Sequence, residues 1–134
     1  MNKKVDIVTG GASGLGFATA QQLIVDGMTV IITGRDGDKL IAAKEALGDH
    51  CVAKQVDASD FEALPVFVSD IVAEYGSIDV LVNNAGINMK KPVADVSNED
   101  FQKILDVNLT GVFALSREVI KVMSTQETKG VIIN

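Results

Sequence analysis

Short, continuous, β-branched apolar runs alternate with helical patterns along the chain, as they do when helices cover both faces of a parallel sheet. Val5–Thr9 predicts a first strand and Val30–Thr33 a second. Val52–Val56 predicts a third, Val80–Val82 (led in by Ile78 and Asp79) a fourth, and Val131–Ile133 a fifth. Between them the spacing predicts helices over Gly14–Asp26, Asp38–Leu47, Leu64–Tyr75 and Asn98–Met123. Gly27, Gly48 and Gly76 stand where the first three helices should stop. Pro65 sets a late start for the third, with Ser59–Ala63 as a lead-in turn. Ser97 and Asp100 have the spacing of a cap for the fourth, whose Phe101, Leu105, Val112 and Phe113 follow helical spacing and are expected in the core. No repeat, low-complexity tract or linker interrupts the pattern. The expectation is one α/β domain over residues 1–134, an open, doubly wound parallel sheet.

Charge and composition narrow the role of this domain. Twelve Lys+Arg against 18 Asp+Glu give a net charge of −6, which argues against a protein that neutralises nucleic-acid phosphates or holds an anionic membrane surface. Hydrophobic residues make up 47% of the chain, yet no apolar run approaches the ~18 residues of a membrane span. The start MNKKVDIV lacks the apolar stretch of a signal peptide. The single Cys51 can form no internal disulfide, so a cytoplasmic setting is expected, with Cys51 a small buried hydrophobe. His50 has no Cys, Asp or Glu spaced to share a metal and reads as a turn residue; no metal site is expected. Lys90-Lys91 reads as a solvated loop.

The chemistry gathers at the carboxyl ends of the strands. Thr9-Gly10-Gly11-Ala12-Ser13-Gly14-Leu15-Gly16 joins the first strand to the first helix. Glycines there let the backbone turn tightly and approach a ligand, and the free N–H groups of the helix start suit a pyrophosphate. The spacing is G-x-x-x-G-x-G, neither G-x-G-x-x-G nor a P-loop, so taken alone it is also compatible with an ordinary βα turn. After the second strand, Gly34-Arg35 replaces the carboxylate that would hold a ribose and repel a 2′-phosphate. Arg35 would either clasp that phosphate or stand solvated while Asp36 or Asp38 caps the next helix. Asp57, after the third strand, suits an adenine amino group, a cap for the next helix, or both. Asn83-Asn84-Ala85-Gly86, after the fourth, suits a floor that binds ribose and lets a ring lie close.

Together these motifs resemble the classical short-chain dehydrogenase/reductase family. The TGGASGLG turn, Asp57, NNAG at 83–86 and Asp106-Val107-Asn108-Leu109-Thr110-Gly111 on the long helix match its motifs in order over essentially the whole chain. The likeness is greatest to 3-oxoacyl-acyl-carrier-protein reductases and to sugar-alcohol or gluconate dehydrogenases. It implies a Rossmann-type sheet and an NAD(P)-dependent oxidoreductase that interconverts a carbonyl and an alcohol by hydride transfer. NADP(H) is preferred on account of Arg35, with NAD(H) the alternative. The resemblance implies cofactor contacts from Gly10, Ser13, Gly14, Leu15 and Gly16, adenosine-side contacts from Arg35, Asp57 and Ala58, and a ribose contact from Asn84. Asn108 matches the family's helix asparagine, which holds a water of the proton relay and kinks the helix; the other reading is a buried amide bonded to backbone. The partners implied are a small carbonyl or alcohol and further copies of the full-length chain.

Two departures stand out. The family's chemistry needs a Ser, a Tyr acid and a Lys four residues after the Tyr, because an ammonium is needed to stabilise the phenolate. Tyr75 is the one tyrosine, Asp79 lies four residues on, and the chain stops at Asn134. The chain is therefore expected to be the cofactor half of a longer reductase, cut after the fifth strand and without the catalytic half. The alternative is a non-enzymatic dinucleotide-binding module. The second departure is Asp6, in the central strand where the family has a small apolar residue; it must find a donor or shift its protonation.

Overall fold

The β-branched runs become strands, and they pair in parallel in the order β3-β2-β1-β4-β5. The computed structural model describes residues 3–134. Its elements are β1 (Val5–Thr9), α1 (Gly14–Val25), β2 (Thr29–Gly34), α2 (Gly37–Leu47), β3 (Cys51–Gln55), α3 (Ala63–Tyr75) and β4 (Val80–Val82). A short turn of 3-10 helix (Val93–Asp95) then precedes α4 (Asn98–Leu105), a π-helical segment (Asp106–Thr110), α5 (Gly111–Met123) and β5 (Val131–Ile133). The third strand begins one residue earlier than its apolar run suggested, and the second is one residue longer at each end. The order of winding reverses between β1 and β4, and in sheets of this kind the crevice at the carboxyl ends of such a pair binds ligands.

Alternation along each strand divides the core in two. Val5, Ile7, Ile31 and Leu81 face α3 and α5, meeting Leu64, Phe67, Val68, Ile71, Leu115 and Val119. Val8, Val30, Ile32 and Val82 belong to the other core, with Ala20, Leu40 and Ala43. Helices on both faces leave no room for polar alternation, so β1 is buried along its length.

Asp6 is caught in that arrangement. It is fully buried, its register partners are Val80 and Val30, and neither carboxyl oxygen has a hydrogen-bond partner among the described residues. Burial, and then the nearby charge of Asp79, push its pKa from 3.8 up to about 6. Lys4 and the Val80 backbone amide pull the other way, without supplying a hydrogen bond of proper geometry. Of the two outcomes open to Asp6, a donor is not found among the described residues, which leaves the shift in protonation.

The long helix is where expectation and structure part. Its start is as read: Ser97 Oγ accepts from the Asp100 N–H at 3.0 Å, and Asp100 Oδ2 accepts from the Ser97 N–H at 3.3 Å. The helix runs on to Met123, but over Asp106–Thr110 it widens to a π turn, with the Gly111 N–H donating to the Asp106 carbonyl. Phe101 and Phe113, expected in the core, are 57% and 62% exposed. The reason is phase: α5 buries Gly111, Ala114, Leu115 and Val119, which puts Phe113 on the opposite side, and α4 buries none of its residues. Leu109, Phe113 and Ile120 form an exposed apolar stripe, with the Arg117 guanidinium 5.4 Å from the Phe113 ring centre. No helix of the described residues is long and apolar enough to cross a membrane.

Candidate functional site

The first βα turn is shaped from behind. Gly16 is buried, and a Cβ there would run into the Gly10 carbonyl oxygen and Asn84 Nδ2. That is why the turn packs tightly against the end of β4. Gly14 differs: its φ of +58° is costly for other residues, yet a Cβ there would meet nothing within 4 Å. The space in front of it is open. Ser13 occupies the N-cap of α1, but its side chain makes no capping bond, and the first turn holds no acidic residue. The exposed start of α1 thus offers N–H groups and a free hydroxyl to an anion. Leu15, 81% exposed, lies beside it.

Thr9 binds this turn to β4. Its Oγ1 donates to the Val82 carbonyl and accepts from the backbone N–H groups of Asn84 and Ala85, at 3.0 and 2.9 Å. Asn84 Nδ2 donates to the carbonyls of Thr9 and Gly10, both at 3.1 Å. The Asn84 amide therefore braces the turn, a role that sequence reading missed along with Thr9. The partners lie about 75 positions apart, so no local spacing signals the contact. Asn83 Nδ2 donates to Ser116 Oγ and to Asn134 Oδ1, tying β4 to α5 and to the residue after β5.

Gly10, Ser13, Gly34, Arg35, Lys39 and Gly86 line an open cleft of about 640 Å³ at the carboxyl edge. A narrower recess of about 140 Å³ joins Arg35 to Asp57, Ala58, Ile87 and Val107. Arg35 and Lys39 are both exposed, and neither has an ion pair among the described residues. Asp36 is turned away from them in function: its Oδ1 accepts from the N–H groups of Asp38 and Lys39, both at 3.1 Å, capping α2. Lys39 was not singled out from the sequence, although its place four residues after Arg35 was visible there.

Asp57 Oδ1 accepts from the Ser59 N–H at 2.9 Å and from the Ser59 hydroxyl at 2.8 Å. The Ser59 amide, its hydroxyl and the charge of Arg35 hold the Asp57 carboxyl below its ordinary value, against the opposing effect of burial. It does not cap α3, whose N-cap is Glu62 without a side-chain cap bond; Asp60 Oδ1 accepts from the Ala63 N–H at 3.2 Å in the lead-in turn. Asp57 therefore orders its own turn and stays charged in the recess, with Oδ2 lacking a protein donor among the described residues.

Asn108 sits in the π segment. Its Oδ1 accepts from the Ile87 N–H and its Nδ2 donates to the Ile87 carbonyl, both at 2.8 Å. The amide is bonded to backbone, as one reading held, but it is exposed rather than buried. The local kink is present as the π turn, and the pair of bonds fixes the chain that follows Gly86. At Gly111 a Cβ would overlap the Ala58 carbonyl oxygen, so glycine there lets the helix close one wall of the recess.

This edge combines a cradle with room for a ligand at Gly14, cations at its rim and the β1/β4 switch beneath it. The family model described as short chain dehydrogenase matches residues 4–134. A glucose 1-dehydrogenase of Gluconobacter oxydans is 40% identical over 98% of this chain and 50% of its own length. An NADP-dependent (R)-specific alcohol dehydrogenase of Lentilactobacillus kefiri is 38% identical over 98% of this chain and 53% of its own. In structure, a metagenomic short-chain oxidoreductase in complex with NADP superposes with a TM-score of 0.91 at 32% identity, over 98% of this chain and 61% of that one. The chain spans about half the length of the curated relatives it matches. By sequence and by fold, this chain belongs to the short-chain dehydrogenase family.

Proposed function

We propose that residues 1–134 are the dinucleotide-binding part of an NADP(H)-preferring oxidoreductase that interconverts a carbonyl and an alcohol, with NAD(H) the weaker ligand. The observation that carries this reading is the pairing of an open glycine cradle with an unpaired guanidinium at its rim. Gly10, Gly14 and the Ser13 hydroxyl would hold the pyrophosphate at the start of α1, with Leu15 beside it and Gly16 shaping the turn from behind. Arg35 would take the 2′-phosphate, since a guanidinium matches a phosphate with two parallel hydrogen bonds. Asp57 and Ala58 would bound the adenine end. Because Asn84 Nδ2 is committed to the turn, its ribose contact would fall to its other polar atoms.

The bound dinucleotide supplies or accepts the hydride. In this stretch of chain, Asn108 fastens Ile87 and so fixes the loop beside Gly86, and the place in the proton relay implied for it rests on family resemblance. Tyr75 is assigned no proton chemistry: it packs against the core at the end of α3, and burial raises its pKa. The serine, tyrosine and lysine of the family's chemistry have no counterpart within residues 1–134, which favours a binding half over a self-sufficient catalyst. A stand-alone, non-enzymatic dinucleotide-binding module is the second reading, on the same observation. The stripe of Leu109, Phe113 and Ile120 would be covered by a second copy of the protein. Burial holds the Cys51 thiol up at about 11, an unreactive state.

The test is the substitution Arg35→Ala, with dissociation constants measured for NADPH and NADH. Losing a charged hydrogen-bonding partner should weaken NADPH by roughly 10–100-fold and leave NADH within about twofold. Equal losses, or none, would remove Arg35 from the phosphate.

A further inference from the structure

We infer that Gln55 is a positioning residue for cofactor choice, acting on Arg35 through the main chain. This rests on the reading of Arg35 as the ligand of the 2′-phosphate. Gln55 is the last residue of β3, exposed, and outside every motif considered above. Its Nε2 donates to the Arg35 carbonyl at 2.8 Å, across 20 positions of sequence. Its Oε1 would lie 3.3 Å from a Cβ built on Gly37, so the amide also packs along the backbone there. One step back, the Val56 N–H donates to the Gly34 carbonyl at 3.0 Å. One step on, Asp36 is held by the start of α2.

The Gly34 and Arg35 carbonyls and the Asp36 carboxylate are thereby each held by a neighbouring group, while the Arg35 guanidinium is left without an ion pair among the described residues. An exposed amide-to-carbonyl bond adds little to stability, because water competes for both groups. Its effect should lie in order instead. With the Arg35 carbonyl fixed, the direction in which its side chain leaves the backbone is fixed, and less freedom is lost when it meets a phosphate. Asp36 makes that order matter. It lines the same cleft, and a carboxylate freed to turn into it would repel the phosphate that Arg35 attracts.

The experiment is Gln55→Met, which keeps length and loses the amide, alone and combined with Arg35→Ala, with dissociation constants for NADPH and NADH and a melting temperature for each. Gln55→Met should weaken NADPH by roughly three- to tenfold, leave NADH within about twofold, and barely move the melting temperature. In the Arg35→Ala background it should change NADPH binding no further, as expected for a residue that acts through Arg35. A similar loss for both dinucleotides, no loss at all, or a full penalty that persists without Arg35 would overturn the inference. A wild type that binds NADPH no better than NADH would overturn the reading beneath it, and is told apart from these because it needs no Gln55 variant.

Discussion

Thr9 and Asp6 lie three residues apart on the same central strand, both buried, and their surroundings are opposite. The Thr9 hydroxyl donates once and accepts twice, joining β1 to β4 where the two strands end. Asp6 lies within the ladder, where the strands on either side spend their N–H and C=O groups on one another. Its carboxyl meets valines in register and no donor. Strand ends release backbone groups that a side chain can satisfy; strand middles do not. Polar residues on this sheet therefore stabilise where they build the candidate site and cost stability where they enter the ladder.

The largest expected effect comes from removing the unsatisfied group. Asp6 has a pKa of about 6 when folded against an ordinary value of 3.8, a difference worth about 3 kcal/mol of destabilisation once the group must ionise. Between those values the folded protein keeps a proton that the unfolded chain has released. Stability contributed by this group is thus highest below about pH 4, falls as pH rises toward 6, and stays low above that. Asp6→Ala should remove the dependence and raise unfolding free energy by about 2–3 kcal/mol at pH 7, less any cavity cost, with little gain at pH 4. Urea unfolding at the two pH values measures it. A variant less stable than wild type at pH 7 would mean that the carboxylate has found a partner.

Removing the satisfied group should do the reverse. Thr9→Val keeps the shape but leaves the Ala85 N–H without its partner, and the Asn84 N–H and Val82 carbonyl with only their 3.1 Å bond to one another. It should cost about 1–3 kcal/mol, independent of pH between 4 and 8, and weaken NADPH binding as the glycine turn loosens. Denaturant midpoints and cofactor titration on the same samples report both effects. Lost stability with unchanged affinity would show that the network holds up the sheet and not the site.

The strands, the helix starts and the glycine cradle were legible in the sequence because each is written locally, as β-branched runs, a Ser97–Asp100 pair and glycines at close spacing. What was not legible depends on contacts between distant residues. Phe101 and Phe113 keep helical spacing, but which side of a helix faces the core is decided by what packs on it, and here that is the face of Gly111, Leu115 and Val119. Asp57 and Asp60 both precede α3, and only the path of the turn decides that Asp60, not Asp57, bonds its first N–H. Gln55 has no neighbour in sequence to mark it; its partner lies just past the end of the adjacent strand β2. Asn84 Nδ2 braces the turn because the ends of β1 and β4 meet, a contact that no local spacing announces.

The central claim is that the carboxyl edge is a cradle for a dinucleotide, and Gly14→Val tests it most directly. A side chain there would meet no protein atom within 4 Å of its Cβ, so the fold should survive apart from the strain of a branched residue at φ +58°. NADPH should bind the wild type and fail to bind Gly14→Val, with circular dichroism unchanged. Equal NADPH affinity in the two proteins would contradict the account.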